Sequence, residues 1–282
     1  VDHLSWDNLA DFQKSVSSMG YYGGLRLLKA TLLVFMDHCK NNNIPLHNKG
    51  FQLSYTTNIP VLLGLSGSSA IISACLRALG LWYAVKMEPW LLANLAWQVE
   101  TEELGIPAGL QDRVAQAYNF PVFMDFDQSH FNTNPHGKYE KLKRPIKNVY
   151  IAYSDNLAEG SAVTHSNLRE RFEAGDSQLL EAVETWKSLT KQFNAALEAD
   201  DFDQMNKCIN ANFDLRNELC TLDPNQVELV KLARKSGASA KFCGSGGAII
   251  GLYKDNKMLA KLKKDLKSKG VNILLPEIVY SP

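Results

Sequence analysis

The stretch NIPVLLGLSGSSAIISACLRAL, from Asn58 to Leu79, constrains this chain more than any other. A proline and a run of glycine and serine give way at once to apolar residues at helical spacing. The backbone must therefore turn tightly and then start a buried helix. Glycines let a backbone approach an anion closely, and a helix starting at the serines aims free N–H groups and its positive dipole end at the same point. No lysine follows the glycines, so a Walker-type phosphate loop is excluded. An ordinary turn with Ser68 as the helix N-cap accounts for the same letters, and the stretch alone leaves both readings open.

The composition is that of a soluble globular chain. Of 282 residues, 45% are hydrophobic and 21% charged, which suits one large domain or two of ordinary size. The formal net charge is zero, which argues against a nucleic-acid or membrane-surface partner. Cys39, Cys75, Cys208, Cys220 and Cys243 are odd in number, dispersed and free of CxxC spacing. They read as reduced thiols of a cytoplasmic protein, with no disulfide framework or zinc site. The histidines are equally dispersed, and no metal is assigned to them. No apolar run reaches the length of a membrane span. The start, VDHLSWDNLADFQ, resembles neither a signal nor a transit peptide and opens directly on helical periodicity, so upstream material is expected to be absent.

Asp7 is placed to cap a helix carrying Leu9, Phe12 and Val16, and GGLRLLKATLLVFMDHCK gives a second helix. FQLSYTT alternates, with Phe51, Leu53 and Tyr55 on one face, and predicts a strand running into the Gly/Ser loop. Helices from about Ser68 to Lys86 and from Pro89 to about Leu104 follow. LGIPAGLQDRVAQAY reads as a loop entering a short helix, and PVFMDF as a strand. The polar segment from Asp127 to Pro145 predicts a surface connection and a boundary between domains 1–145 and 146–282. Beyond it come a strand in NVYIAYS, helices around Gln178–Ala199, Phe202–Leu219 and Asn225–Lys235, and strands in SAKFC and AIIGLY. The helix KMLAKLKKDLKSK, with Leu259, Leu262 and Leu266 inward, and a final strand VNILLPEIVY complete the chain. That order predicts an α+β chain whose second half is a ferredoxin-like split βαβ sheet covered by helices.

Two further stretches carry chemistry. VETEELGIPAGLQDRVAQ places Glu100, Glu102 and Glu103 at a helix end, then a Gly/Pro loop, then Asp112 at the next helix start. Carboxylates at the negative end of a helix are locally unfavourable and point to a nearby cation. A solvated acidic face is the plainer reading, preferred for Glu102. Asp112 suits a base for a sugar hydroxyl, and equally a first-turn helix stabiliser. KFCGSGGAIIG, Lys241 to Gly251, would serve a tight hairpin in any protein. Three Gly/Ser turns with acids between them form a more specific set than any one alone.

The succession Pro60, Gly64-Leu65, Ser68-Ser69-Ala70, then Glu100, the GIPAG loop and Asp112, then KFCGSGG resembles the GHMP kinases. Within that family GYYGGLRLL, LSYTTNIP, GLSGSSAI, ELGIPAGLQDRVAQ, THSNLRERFEAGD, NFDLR and KFCGSGGA look like segments of the plant-type glucuronokinases, in the same order and over nearly the whole chain. The resemblance implies a two-domain GHMP fold and transfer of the ATP γ-phosphoryl group, with Mg²⁺, to the anomeric hydroxyl of D-glucuronate, a step towards UDP-glucuronate. Another sugar acceptor (galacturonate, arabinose or galactose), or a non-catalytic binding domain of the same fold, stays open. The implied ligands are a small sugar acid and ATP, with no nucleic acid or membrane, in a monomer or homodimer.

Carried over residue by residue, Gly64, Leu65, Ser66, Gly67, Ser68, Ser69 and Ala70 resemble the family's phosphate loop, and Ser69 its Mg²⁺-ligating serine. Glu100, twelve residues before Asp112, resembles the second metal ligand, with Glu103 the fallback. Asp112 matches the catalytic aspartate. Gly244, Ser245 and Gly246, with Gly247, match the third motif, beside the transferred phosphate and the acceptor. The acceptor's carboxylate calls for an arginine. Arg113 and Arg216 rank above Arg26, with a plain surface arginine the commoner reading of each, and Tyr22 with Gly23, beside Tyr21, is placed as a sugar-facing wall or a core corner. GLSGSSA holds one residue more before the serine pair than the common GLGSSA, and the family's first motif and N-terminal strands are missing.

Overall fold

In a computed structural model describing residues 3–154, 168–278 and 280, the first helix, α1 (Leu9–Met19), begins where Asn8 accepts the Asp11 amide. The cap is therefore Asn8 and not Asp7. α1 turns Phe12 and Val16 inward, against Leu28, Leu32 and Phe35 of α2 (Arg26–Asn41). Residues 51–58 run without a ladder partner, so the expected strand does not form. Phe51 and Leu53 still pack on the core, which is the burial their alternation reported. A strand also needs a hydrogen-bonded neighbour, and one segment's pattern cannot report that.

α3 (Gly67–Tyr83) and α4 (Pro89–Gln98) bring Ile72, Leu76, Leu79, Leu92 and Leu95 into the same core. Each such side chain contributes about 1.5–3 kcal/mol by leaving water. α4 continues into one turn of π-helix, Val99–Glu103, before α5 (Gln111–Tyr118). The segment expected to be a plain connection instead carries secondary structure. β1 (Val122–Asp125) leads to α6 (Gln128–Phe131), capped by Asp127, and then to β2 (Lys138–Lys141). β1 and β2 pair antiparallel, with Val122 opposite Lys141.

β3 (Val149–Tyr153) opens the second half. It is followed by α7 (Leu168–Glu173), α8 (Ser177–Ala199), α9 (Phe202–Leu219) and α10 (Pro224–Lys235), then β4 (Lys241–Phe242), β5 (Ala248–Leu252), α11 (Asn256–Lys267) and β6 (Asn272–Leu274). The sheet order is β4-β5-β3-β6 with every neighbour antiparallel, which is the split βαβ arrangement expected. Aspartates set the helix starts: Asp176, Asp201, Asp223 and Asp255 each accept an amide in the turn they cap. The final strand is shorter than VNILLPEIVY, because Pro276 cannot extend the ladder; Val279 lies outside the described residues. So do residues 164–167 of THSNLRERFEAGD, including His165.

The chain divides into two compact units. One holds Ser66–Lys141 and the residues up to Asn58; the other holds Ile59–Leu65 and Leu142–Tyr280. The Gly/Ser loop thus changes unit between Leu65 and Ser66. In the second unit Leu262 and Leu266 of α11 are fully buried beneath the sheet with Val230, Ala233 and Phe242, while Leu259 is half-buried. None of the described helices is long and apolar enough to cross a membrane.

Candidate active site

In the first unit, α3 starts without a side-chain cap. Its N-cap is Ser66, held in the left-handed region at φ 59°, and its side chain makes no capping hydrogen bond. The capping reading of Ser68 is thereby set aside, and α3 leaves its positive end open. Ser68 instead donates its hydroxyl to Glu100 Oε1 at 2.6 Å. Ser69, one residue on and a third of a turn around, points into the core: it is fully buried and donates to the Ser66 carbonyl at 2.9 Å. Of the serine pair, then, Ser68 stands beside Glu100, and Ser69 bonds the backbone of its own turn.

The π turn decides which acid faces inward. Leu104 N–H reaches back to the Val99 carbonyl, and Ile106 N–H to the Glu100 carbonyl at 2.7 Å. The wider turn rotates Glu100 into the interior, where it is 1% exposed. Glu102 stays in solvent. Glu103 accepts the Tyr21 hydroxyl at 2.5 Å, and burial together with that carboxylate pushes the phenol well above its ordinary range. Glu103 is thus occupied elsewhere. A one-turn π segment at the turn that carries a buried carboxylate is a common mark of a functional position.

Arg113, on α5, forks Glu100 Oε2 with Nε at 2.6 Å and with Nη2, and donates Nη1 to the Gly109 carbonyl at 3.0 Å. It is 6% exposed. Three of its donors are therefore held by protein in this arrangement. Asp112, next to it in the first turn of α5, is about half exposed, with Oδ2 3.6 Å from Arg113 Nη1. Tyr22 and Gly23 lie on the exposed α1–α2 connection, whereas Tyr21 packs on the core. Arg26 is exposed, and no ion pair or side-chain hydrogen bond engages it among the described residues.

In the second unit, the third glycine motif packs on the loop ahead of the serines. A Cβ on Gly64 would stand 2.5 Å from the Gly246 carbonyl oxygen, and one on Gly247 3.0 Å from Leu63 Cα. Gly246 and Gly247 hold φ of 147° and 83°, conformations that a side chain would strain. Arg216 donates to the carbonyls of Gly244 at 2.8 Å and Ser245 at 3.3 Å, and Gln226 accepts the Gly247 amide at 3.1 Å. Burial lowers the Arg216 guanidinium below its ordinary value. Arg216 therefore braces the loop through its carbonyls. Burial, with Arg216 nearby, likewise lowers the Lys241 ammonium.

The GHMP kinases N terminal domain model matches residues 26–120, and the GHMP kinases C terminal model matches residues 193–272. The chain is 38% identical to probable glucuronokinase 2 of Arabidopsis thaliana over 98% of its own length and 76% of that protein. To glucuronokinase 1 of the same plant it is 37% identical, over 98% of its length and 77% of the relative. Among solved structures, Streptococcus pneumoniae phosphomevalonate kinase in complex with phosphomevalonate and AMPPNP superposes with a TM-score of 0.70 at 16% identity, covering 90% of this chain and 81% of that one. Methanococcus jannaschii mevalonate kinase gives 0.62 at 22% identity, over 90% of this chain and 75% of that one. At such identities the likeness to these two structures concerns the fold.

Proposed function

The chain belongs to the GHMP kinase family, and from that membership we propose that it transfers the γ-phosphoryl group of ATP to the anomeric hydroxyl of D-glucuronate, giving D-glucuronate 1-phosphate. The observation that carries the kinase chemistry is Ser68 against buried Glu100 at the uncapped start of α3. Open amides and a helix dipole favour phosphate there without a lysine. The acceptor follows the glucuronokinases, to which the chain is similar over nearly its whole length.

The residues present suit Mg²⁺. Glu100 Oε1 and Ser68 Oγ are hard oxygens 2.6 Å apart, close enough to neighbour one another on one small cation. Mg²⁺ is commonly held by one or two carboxylates, with waters and substrate phosphates filling the rest. Bound there, it would supply charge stabilisation for the phosphates. Ser69, turned into the core, does not contribute. Gly64 to Ala70 and the start of α3 cradle the phosphates, and Asp112 orients the sugar hydroxyl or accepts its proton. Gly244, Ser245 and Gly246 are assigned to the acceptor. With Arg113 and Arg216 engaged internally, Arg26 is the arginine assigned to the acceptor carboxylate. Tyr21 ties its neighbourhood to the π turn that carries Glu100.

The test is the rate of ADP release by the purified full-length protein with ATP, Mg²⁺ and a panel of sugars. Glucuronate should show the highest kcat/KM; a higher value for galactose or arabinose would move the acceptor to a neutral sugar.

A further inference from the structure

Three of the groups on which the kinase reading rests are tied to one buried side chain. Glu100 is 1% exposed, and a carboxylate so deep needs a cation or a full set of donors to remain there. Arg113 supplies the cation, with Nε and Nη2 both on Oε2. Oε2 is thereby fixed, and Oε1 is left to face the Ser68 hydroxyl. A planar guanidinium fixes the plane of a carboxylate, which a lysine ammonium cannot do. The same Arg113 holds the Gly109 carbonyl at the loop entering α5 and lies 3.6 Å from Asp112 Oδ2. Anchoring its guanidinium on Glu100 thus also anchors the helical turn that carries Asp112.

We propose that Arg113 is a positioning residue for phosphoryl transfer: it aims the Glu100 carboxylate at Ser68, sets the turn bearing Asp112, and touches neither sugar nor nucleotide. The inference rests on the kinase reading and deepens it, since it separates the arginine that orders the metal-side carboxylate from the one that meets the acceptor. Partners that orient a metal-binding carboxylate typically change affinity or activity 10- to 100-fold when removed.

Two measurements on the full-length protein decide it. The first is steady-state kinetics with ATP and glucuronate; the second is Mn²⁺ affinity of the ADP-bound protein by electron paramagnetic resonance. Arg113→Met should lower kcat about 10- to 100-fold and weaken Mn²⁺ by about 10-fold or more, with KM for glucuronate changed less than about threefold. Arg113→Lys should restore part of both losses. A KM for glucuronate raised more than about tenfold, with kcat and Mn²⁺ affinity unchanged, would make Arg113 a substrate receptor and overturn the proposal. So would a variant indistinguishable from wild type. Should Arg113→Met not fold, the Glu100→Gln/Arg113→Met double variant removes the unpaired buried charge. Its Mn²⁺ affinity should equal that of Glu100→Gln alone; a further tenfold loss contradicts action through Glu100. If wild type binds Mn²⁺·ADP but turns over no glucuronate, the acceptor reading has failed, while the Mn²⁺ comparison still decides the part played by Arg113.

Discussion

A methyl group on Gly64 would meet the carbonyl oxygen of Gly246 at 2.5 Å, so the loop ahead of the serines and the third glycine motif touch backbone to backbone within one unit. Gly64 also holds φ 65°, where an L side chain costs about 1–2 kcal/mol before any clash. Gly64→Ala should therefore lose more than about 1 kcal/mol in urea unfolding and cut kcat about tenfold or more. Gly50, with open space around it, is the control. Equal unfolding midpoints for Gly64→Ala and Gly50→Ala would mean that the close approach is not made.

The serine pair should separate into two phenotypes. Ser68→Ala removes the hydroxyl beside Glu100, so kcat should fall about 10- to 100-fold with a modest change in stability. Ser69→Ala removes a buried hydrogen bond to the Ser66 carbonyl, so its main effect should be a loss of about 1 kcal/mol in unfolding free energy. A larger kcat loss for Ser69→Ala than for Ser68→Ala would reverse the assignment.

Arg26 is exposed at the start of α2 and assigned to the acceptor carboxylate. Arg26→Ala should raise KM for glucuronate about tenfold and leave KM for ATP unchanged, since a charged hydrogen bond is worth about 1.5–3 kcal/mol. Competition kinetics against a neutral sugar sharpen the comparison. An equal effect on both sugars would remove Arg26 from the acceptor site.

Burial of Cys75 within the α3 core pushes its thiol up from 9.0 to about 12. The folded value lies above the unfolded one, so this stabilisation is complete below pH 9 and is lost as pH rises from there towards 12. By pH 10 the loss from this thiol is on the order of 1 kcal/mol. Urea unfolding at pH 8 and pH 10 should show a smaller alkaline loss in Cys75→Ala than in wild type. Equal losses would place the linkage in other groups.

Much of this molecule is legible in its letters because the relevant physics is local. Aspartates at 176, 201, 223 and 255 announce the helices that they cap, and the apolar spacing in KMLAKLKKDLKSK announces burial of Leu262 and Leu266. The glycine and serine turns are legible for the same reason. Which serine faces Glu100 is not, since it depends on α3 starting one residue after a left-handed Ser66. The π turn adds no letter that periodicity could register, yet it rotates Glu100 inward and sends Glu103 to Tyr21. Arg113 and Arg216 read as free cations because their partners, Glu100 and the Gly244–Ser245 carbonyls, lie many residues away. FQLSYTT has the alternation of a strand, but pairing is a property of two segments.

Phosphoryl transfer to the anomeric hydroxyl is read out by ³¹P NMR of the reaction of the full-length protein with ATP, Mg²⁺ and D-glucuronate. A sugar-phosphate resonance coupled to the C1 proton should grow in step with ADP. ADP formed with inorganic phosphate alone, or a phosphate coupled to the proton of another carbon, would contradict it.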